Sequence, residues 1–252
     1  MINLSHNDWK IENINTVLFD KDGTFIDLHY FWGKMTELRV LEVIKRFNLS
    51  ESLFSELCLY LGYDAENKKM LPNGITALYS RVKIIEIFKN NLTEIGFHTT
   101  CEELTNIFDY VSDIFYKNIN EYTKPIDSAI NFIKNLHSKG IKLGIVTSDS
   151  VISTELTLKY FNWQNLFSVV IGRESSIYTK ESGEPTKLAL NELNVNPQTT
   201  LMIGDAPMDY ISAKNAGIDN VLLVATGQLT QQQLLETSKY CVNSLDEINI
   251  TA

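Results

Sequence analysis

Long apolar runs are missing from this chain of 252 residues. A membrane-spanning helix needs about 18 or more consecutive apolar residues, so none is expected. The N-terminal stretch MINLSHNDWKIENIN has no apolar signal core and reads as polar throughout, which argues against export. Cysteine is scarce as well. Cys58, Cys101 and Cys241 are odd in number and far apart, which excludes a disulfide framework and a zinc-type spacing. They read as buried apolar residues of a protein kept in a reducing cytoplasm. Cations are also in short supply: 22 Lys and Arg face 31 Asp and Glu, a net charge of -9. A general nucleic-acid binder would be basic, so nucleic acid is not an expected partner. There are no internal repeats, and TQQQ at Thr230 to Gln233 is too short to count as low complexity. What is present is 44% hydrophobic residues, enough for a large core or for a core with a smaller second domain.

The second half alternates between two periods. IKLGIVT (Ile141 to Thr147), FSVVIG (Phe167 to Gly172), TLMIGD (Thr200 to Asp205) and NVLLVAT (Asn220 to Thr226) are short apolar runs of buried-strand type. VISTELTLKYFN, EPTKLALNELNV and PMDYISAKNAG lie between them with helical spacing and Pro or Gly boundaries. Strands alternating with helices imply parallel βαβ units. TVLF at Thr16 to Phe19 has the same character and is expected to join that sheet. Between Leu28 and Thr123 the spacing is helical only, in TELRVLEVIKRF, ALYSRVKIIEIFKNNLTEI and EELTNIFDYVSDIFYKNI. The expected organisation is therefore a core formed by residues 1–27 and 124–252, with a helical insert at 28–123. Pro125 is expected to start the helix that leads back into the core. The C-terminal segment from Gln228 reads as a helix, a short strand and a final turn.

The polar signatures fall at strand ends. TVLF runs into Asp20 and Asp22, GIVT ends in Thr147 followed by Ser148 and Asp149, and LMIG ends in Asp205 with Asp209 four residues on. The carboxyl ends of parallel strands share one edge, where α/β sheets bind ligands. Carboxylates crowded there need a cation or a shared proton. An all-oxygen donor set together with phosphate favours Mg²⁺.

This constellation resembles the haloacid dehalogenase superfamily, in its Mg²⁺-dependent phosphatase branch. DKDGT looks like the first family motif, Thr147 in GIVTS the second, a lysine near 180 the third and GDAPMD the fourth. The order of the motifs and a helical insert of the type 1 cap kind match too, over nearly the whole chain. The resemblance implies an α/β fold: a Rossmann-like three-layer core with a parallel sheet, and a helical cap domain inserted after the first strand. It implies that Asp20 attacks phosphorus to form an aspartyl-phosphate and that Asp22 protonates the leaving oxygen and then activates water. Mg²⁺ would be held by Asp20, the Asp22 carbonyl and Asp205, with Asp209 orienting a neighbour or a metal-bound water. The Gly23 and Thr24 amides, the Thr147 hydroxyl, Ser148 and the third-motif lysine would bind the phosphoryl group. Pro185 suits the start of a helix that contains Lys187, so Lys180, in the loop ahead of it, is the third-motif lysine, although Glu181 stands where relatives often have proline. Ala206-Pro207 replaces the Ser or Thr that many relatives carry after Gly-Asp. Lys21 is expected, on strand periodicity, to point away from Asp20 and Asp22.

The layout is most similar to phosphoglycolate-phosphatase-like members, and the implied substrate is a small phosphorylated metabolite. The same fold also serves phosphomutases and phosphonatases. A phosphonatase would need a cap lysine nucleophile, for which Lys34 or Lys45 could be put forward, but neither has surroundings that signal a depressed pKa. A dehalogenase lacks the second aspartate and the metal, and a non-catalytic binding module would not need the intact set. His29, Arg81 and the aromatic cluster LHYFW at Leu28 to Trp32 read as structural rather than catalytic. Nothing in the sequence decides between a monomer and a homodimer.

Overall fold

The structure is a computed structural model that describes residues 1–7 and 9–251. The chain divides into two compact units, Met1–Asp27 with Lys124–Ala252, and Leu28–Thr123. Strands follow in the order β1 (Ile2–His6), β2 (Trp9–Ile14), β3 (Thr16–Phe19), β4 (Tyr63–Asp64), β5 (Lys69–Met70), β6 (Lys142–Val146), β7 (Val169–Ile171), β8 (Thr200–Gly204), β9 (Asn220–Val224), β10 (Cys241–Val242) and β11 (Asn249–Thr251).

The inserted unit is mainly helical: α1 (Leu28–Phe47), α2 (Phe54–Tyr60), α3 (Ile75–Leu78), α4 (Arg81–Glu94), α5 (Cys101–Lys117) and α6 (Ile119–Tyr122). Thr100 and Glu103 form a reciprocal capping box at the start of α5, which satisfies two otherwise orphaned amides. Phe31 on α1 packs edge-on against Phe115 on α5, with ring centroids 4.9 Å apart. Three readings of this unit change. The expected continuous helix from Ala77 breaks at Tyr79-Ser80, both extended. A small antiparallel hairpin, β4–β5, interrupts the helices. Cys101 is exposed, whereas Cys58 and Cys241 are buried, because Cys101 occupies the first, solvent-facing turn of α5.

The larger unit is built on a six-stranded sheet of order β10-β9-β8-β3-β6-β7, all parallel. Its helices are α7 (Asp127–Ser138), α8 (Val151–Tyr160), α9 (Glu184–Leu193), α10 (Pro207–Asn215) and α11 (Gln231–Leu234). β3 is wholly buried, as a strand covered on both faces must be. Its side chains alternate: Leu18 joins Met202, Ala189, Leu190 and Ala213 in one core, while Phe19 meets Phe167 at 6.3 Å. Pro125 does not start a helix. It lies in a bridge opposite Ile26, and α7 begins at Asp127.

The N-terminal stretch is not polar on both faces. β1 and β2 pair with each other and with β11 in a second, antiparallel sheet, burying Ile2, Leu4, Ile11 and Ile14. β1 alternates, with Asn3 and Ser5 between and after its buried residues, whereas an irregularity in the pairing places the buried Ile11 and Ile14 of β2 three residues apart. Among the described residues no helix is long and apolar enough to cross a membrane.

Candidate active site

The register of the central strands fixes the site. β3 lies between β6 and β8, with Phe19 opposite both Ile145 and Ile203, so the three chains leave the sheet side by side. The ladder runs one step further, where the Asp20 amide donates to the Ile203 carbonyl at 2.9 Å. Asp20, Thr147 and Asp205 thus stand at one edge, each just past its strand. Asp209 follows one turn into α10, which opens with Pro207 at its first position, as suits a residue without an amide hydrogen.

Asp20, Asp205 and Asp209 each present an oxygen within 4.8 Å of the others, and all three are buried. Burial pushes the Asp20 carboxyl up to about 7; Lys180 opposes the rise and Asp209 and Asp22 add to it. The Asp205 carboxyl is also pushed up, by burial first and then by Asp20 and Asp209. Lys180 lies in the short turn Lys180–Ser182 ahead of α9 and is itself buried. Its Nζ is 2.5 Å from Asp20 Oδ1 and 2.6 Å from Asp209 Oδ1. These carboxylates hold the ammonium above the ordinary lysine range despite the burial that opposes it. Lys187 is 2.8 Å from Glu184 on the exposed side of α9.

Three acids and one lysine still leave an excess of negative charge in a buried site. A hard divalent cation with oxygen donors fits that deficit. Room for it is kept by absent side chains: a Cβ on Gly227, or on Gly23, would collide with the Asp205 carboxylate. Gly23 also has φ +87°, a left-handed backbone that glycine adopts without strain.

Several sequence-derived placements change. The Gly23 amide donates to Ile26 O at 2.7 Å and the Thr24 amide to Lys21 O at 3.3 Å, so both serve the turn itself instead of facing a ligand. Thr24 Oγ1 approaches Asp205 Oδ1 at 3.5 Å. Lys21 does not point away from the aspartates: its Nζ is 2.6 Å from Asp22 Oδ1 and 3.0 Å from Asp149 Oδ2. β3 ends at Phe19, so strand alternation no longer governs a side chain two residues later. Thr147 is buried and its Oγ1 accepts from the Asp149 amide at 3.1 Å. Ser148 is exposed, with its hydroxyl 3.7 Å from Met208 Sδ. Asp209 Oδ2 accepts from the Ala206 amide at 3.1 Å, so one of its oxygens caps α10 while the other faces Lys180 in the site. His29 Nδ1 accepts from the Met70 amide at 3.0 Å, and Arg81 pairs with Asp109 at 2.7 Å. Both are structural in the helical unit.

Two residues of this edge escaped sequence reasoning. Thr226 Oγ1 donates to the Gly23 carbonyl at 2.5 Å and Gly227 abuts Asp205. Both follow β9, and the rule that sites gather at strand ends would have found them.

Residues 14–217 match the family model described as haloacid dehalogenase-like hydrolase. Pyrophosphatase PpaX of Bacillus mycoides is 24% identical over 208 residues, 82% of each chain. Among solved structures, one from Haemophilus somnus described as a predicted phosphoglycolate phosphatase superposes with a TM-score of 0.71 at 16% identity, covering 94% of this chain and 97% of its own. YfnB of Bacillus subtilis, solved bound to magnesium, gives 0.67 at 19%, again covering 94% and 97%. These superpositions show the shared fold.

Proposed function

The chain belongs to the haloacid dehalogenase-like hydrolases, and from that premise we propose that it is a Mg²⁺-dependent phosphatase of small phosphorylated metabolites, working through Asp20. The observation that carries this reading is the buried Asp20, Asp205 and Asp209 cluster crossed by Lys180.

Asp20 and Asp205, with the Asp22 carbonyl, would hold Mg²⁺, which supplies charge neutralisation between an anionic nucleophile and an anionic substrate. Lys180 orients the Asp20 carboxylate through one oxygen and is held in turn by Asp209, so the nucleophile's rotamer is fixed before substrate arrives. An oxygen of Asp20 attacks phosphorus as the ester P–O bond breaks. Asp22 gives its proton to the departing oxygen, and the product leaves as an alcohol. Asp22, now a carboxylate, takes a proton from water as that water attacks the phosphorus of the aspartyl-phosphate. Phosphate departs and the Asp20 carboxylate is restored. Thr147 and Lys180 donate to the phosphoryl oxygens. Gly23 and Thr24 shape the loop, and their amides are not used. Residues 28–123 would act as the cap that selects the substrate, and the unpaired cysteines suit a cytoplasmic enzyme.

The named relatives carry two kinds of substrate, a diphosphate and a phosphomonoester, so both classes belong in the test. Phosphate release is measured from p-nitrophenyl phosphate, a metabolite panel and pyrophosphate, in Mg²⁺ and in EDTA, for wild type and Asp20→Asn. Turnover that needs Mg²⁺ and disappears in the variant supports the proposal. Turnover that survives EDTA or Asp20→Asn would refute it.

A further inference from the structure

Lys21 has no exposed surface, although it sits in a loop between two acidic residues. Burial disfavours its charge, but Asp22 and Asp149 more than offset that and hold the ammonium above the ordinary lysine range. Its Nζ bridges Asp22 Oδ1 at 2.6 Å and Asp149 Oδ2 at 3.0 Å. Asp149 is fixed from three directions. Its Oδ1 accepts from the Ser150 amide at 2.7 Å, its own amide donates to Thr147 Oγ1 at 3.1 Å, and its carbonyl accepts from the Arg173 amide at 2.8 Å. The bridge therefore ties the loop after β3 to the loop after β6, and all of these residues belong to the larger unit.

A buried ion pair that served stability alone could be replaced by apolar residues of similar volume. This one grips the carboxylate that the proposed reaction uses for proton transfer. Resting on the phosphatase reading, we propose that Lys21, braced by Asp149, is a positioning residue that holds the Asp22 carboxyl in line with the leaving oxygen. The grip on Oδ1 orients the carboxyl group that transfers the proton. Asp22 is then placed by the larger unit's own buried groups.

Proton delivery matters in proportion to how poorly the leaving group departs as an anion. p-Nitrophenolate leaves without a proton, whereas the more basic phenolate of phenyl phosphate needs one, and the two esters have similar shape. The experiment compares kcat/KM for both esters in wild type, Lys21→Met and the double variant Lys21→Met/Asp149→Asn. The double variant removes both buried charges and so keeps the test open if the single variant does not fold. General acid catalysis contributes about 10²–10⁴-fold, so misplacing Asp22 should cost phenyl phosphate about tenfold or more beyond any loss on p-nitrophenyl phosphate. Equal losses on both esters in the folded variants would mean a structural role only and would overturn the inference while leaving the phosphatase reading intact. A wild-type protein that hydrolysed neither ester nor any of the panel would remove both.

Discussion

Replacing Asp20 by Asn should make the metal-free protein more stable near neutral pH, and the structure gives the size of the effect. Burial raises the Asp20 carboxyl from 3.8 to about 7, so between those values the folded chain holds a proton that the unfolded chain has released. The sign follows directly: the contribution is fully present below about pH 4 and is lost as pH rises through 7. At about 1.4 kcal/mol per pKa unit, the ionised carboxylate costs on the order of 4 kcal/mol by pH 7.5. Asn removes the charge, Lys180 keeps Asp209 at 2.6 Å, and Asp205 loses a repelling neighbour. For a chain of this size 1 kcal/mol moves the melting temperature by about 2–4 °C, so in EDTA at pH 7.5 the variant should melt on the order of 10 °C above wild type. At pH 5 the gap should narrow to less than half, closing only toward about pH 4. Mg²⁺ should lift wild type at pH 7.5 and do much less for the variant, since a cation stabilises only the state that binds it. Thermal melts across this pH range, with EDTA and with Mg²⁺, make the test. A gap that is absent, or that does not change with pH, would refute the reasoning that the acidic cluster is a site of uncompensated buried charge.

Other outcomes follow from the same geometry. Gly227→Ala puts a methyl group into the Asp205 carboxylate; far-UV circular dichroism should be unchanged while Mg²⁺-dependent turnover falls about a hundredfold or more. Lys180→Met leaves Asp20 and Asp209 buried without their cation, and urea unfolding at pH 7.5 should show a loss of about 3–5 kcal/mol that shrinks as Asp20 takes up a proton toward pH 5. Ile11→Ala in β2 opens a cavity in the small terminal sheet, where Ile11 is buried; denaturant unfolding should register about 2–5 kcal/mol, with turnover per folded molecule unchanged.

The parallel sheet was legible because its strands are buried on both faces and read as unbroken apolar runs. TVLF, GIV and LMIG need no alternation to be recognised, and each runs straight into its carboxylate or hydroxyl. That is why the sequence alone places Asp20, Thr147 and Asp205 at one edge. The terminal sheet was hidden for the opposite reason: β1 and β2 offer only two buried apolar residues each, Ile2 with Leu4 and Ile11 with Ile14, and their polar neighbours dominate the composition. Its third strand, β11, comes from the far end of the chain, a pairing that local periodicity cannot reveal. Lys21 was misplaced because alternation was carried past the end of β3. Gly227 carries no side chain to announce itself, and only the position of Asp205 shows what its missing Cβ makes room for. The Gly23 and Thr24 amides were assigned to a ligand from motif shape, whereas the turn itself uses them.

The most direct test of the central claim is to find where the phosphoryl group goes. The enzyme is acid-quenched during turnover of p-nitrophenyl phosphate in Mg²⁺, treated with borohydride, which reduces an acyl phosphate to the alcohol, and mapped by peptide mass spectrometry. Conversion of Asp20 to homoserine, dependent on substrate, is the predicted result. Turnover with residue 20 unmodified and another carboxylate reduced in its place would contradict the account.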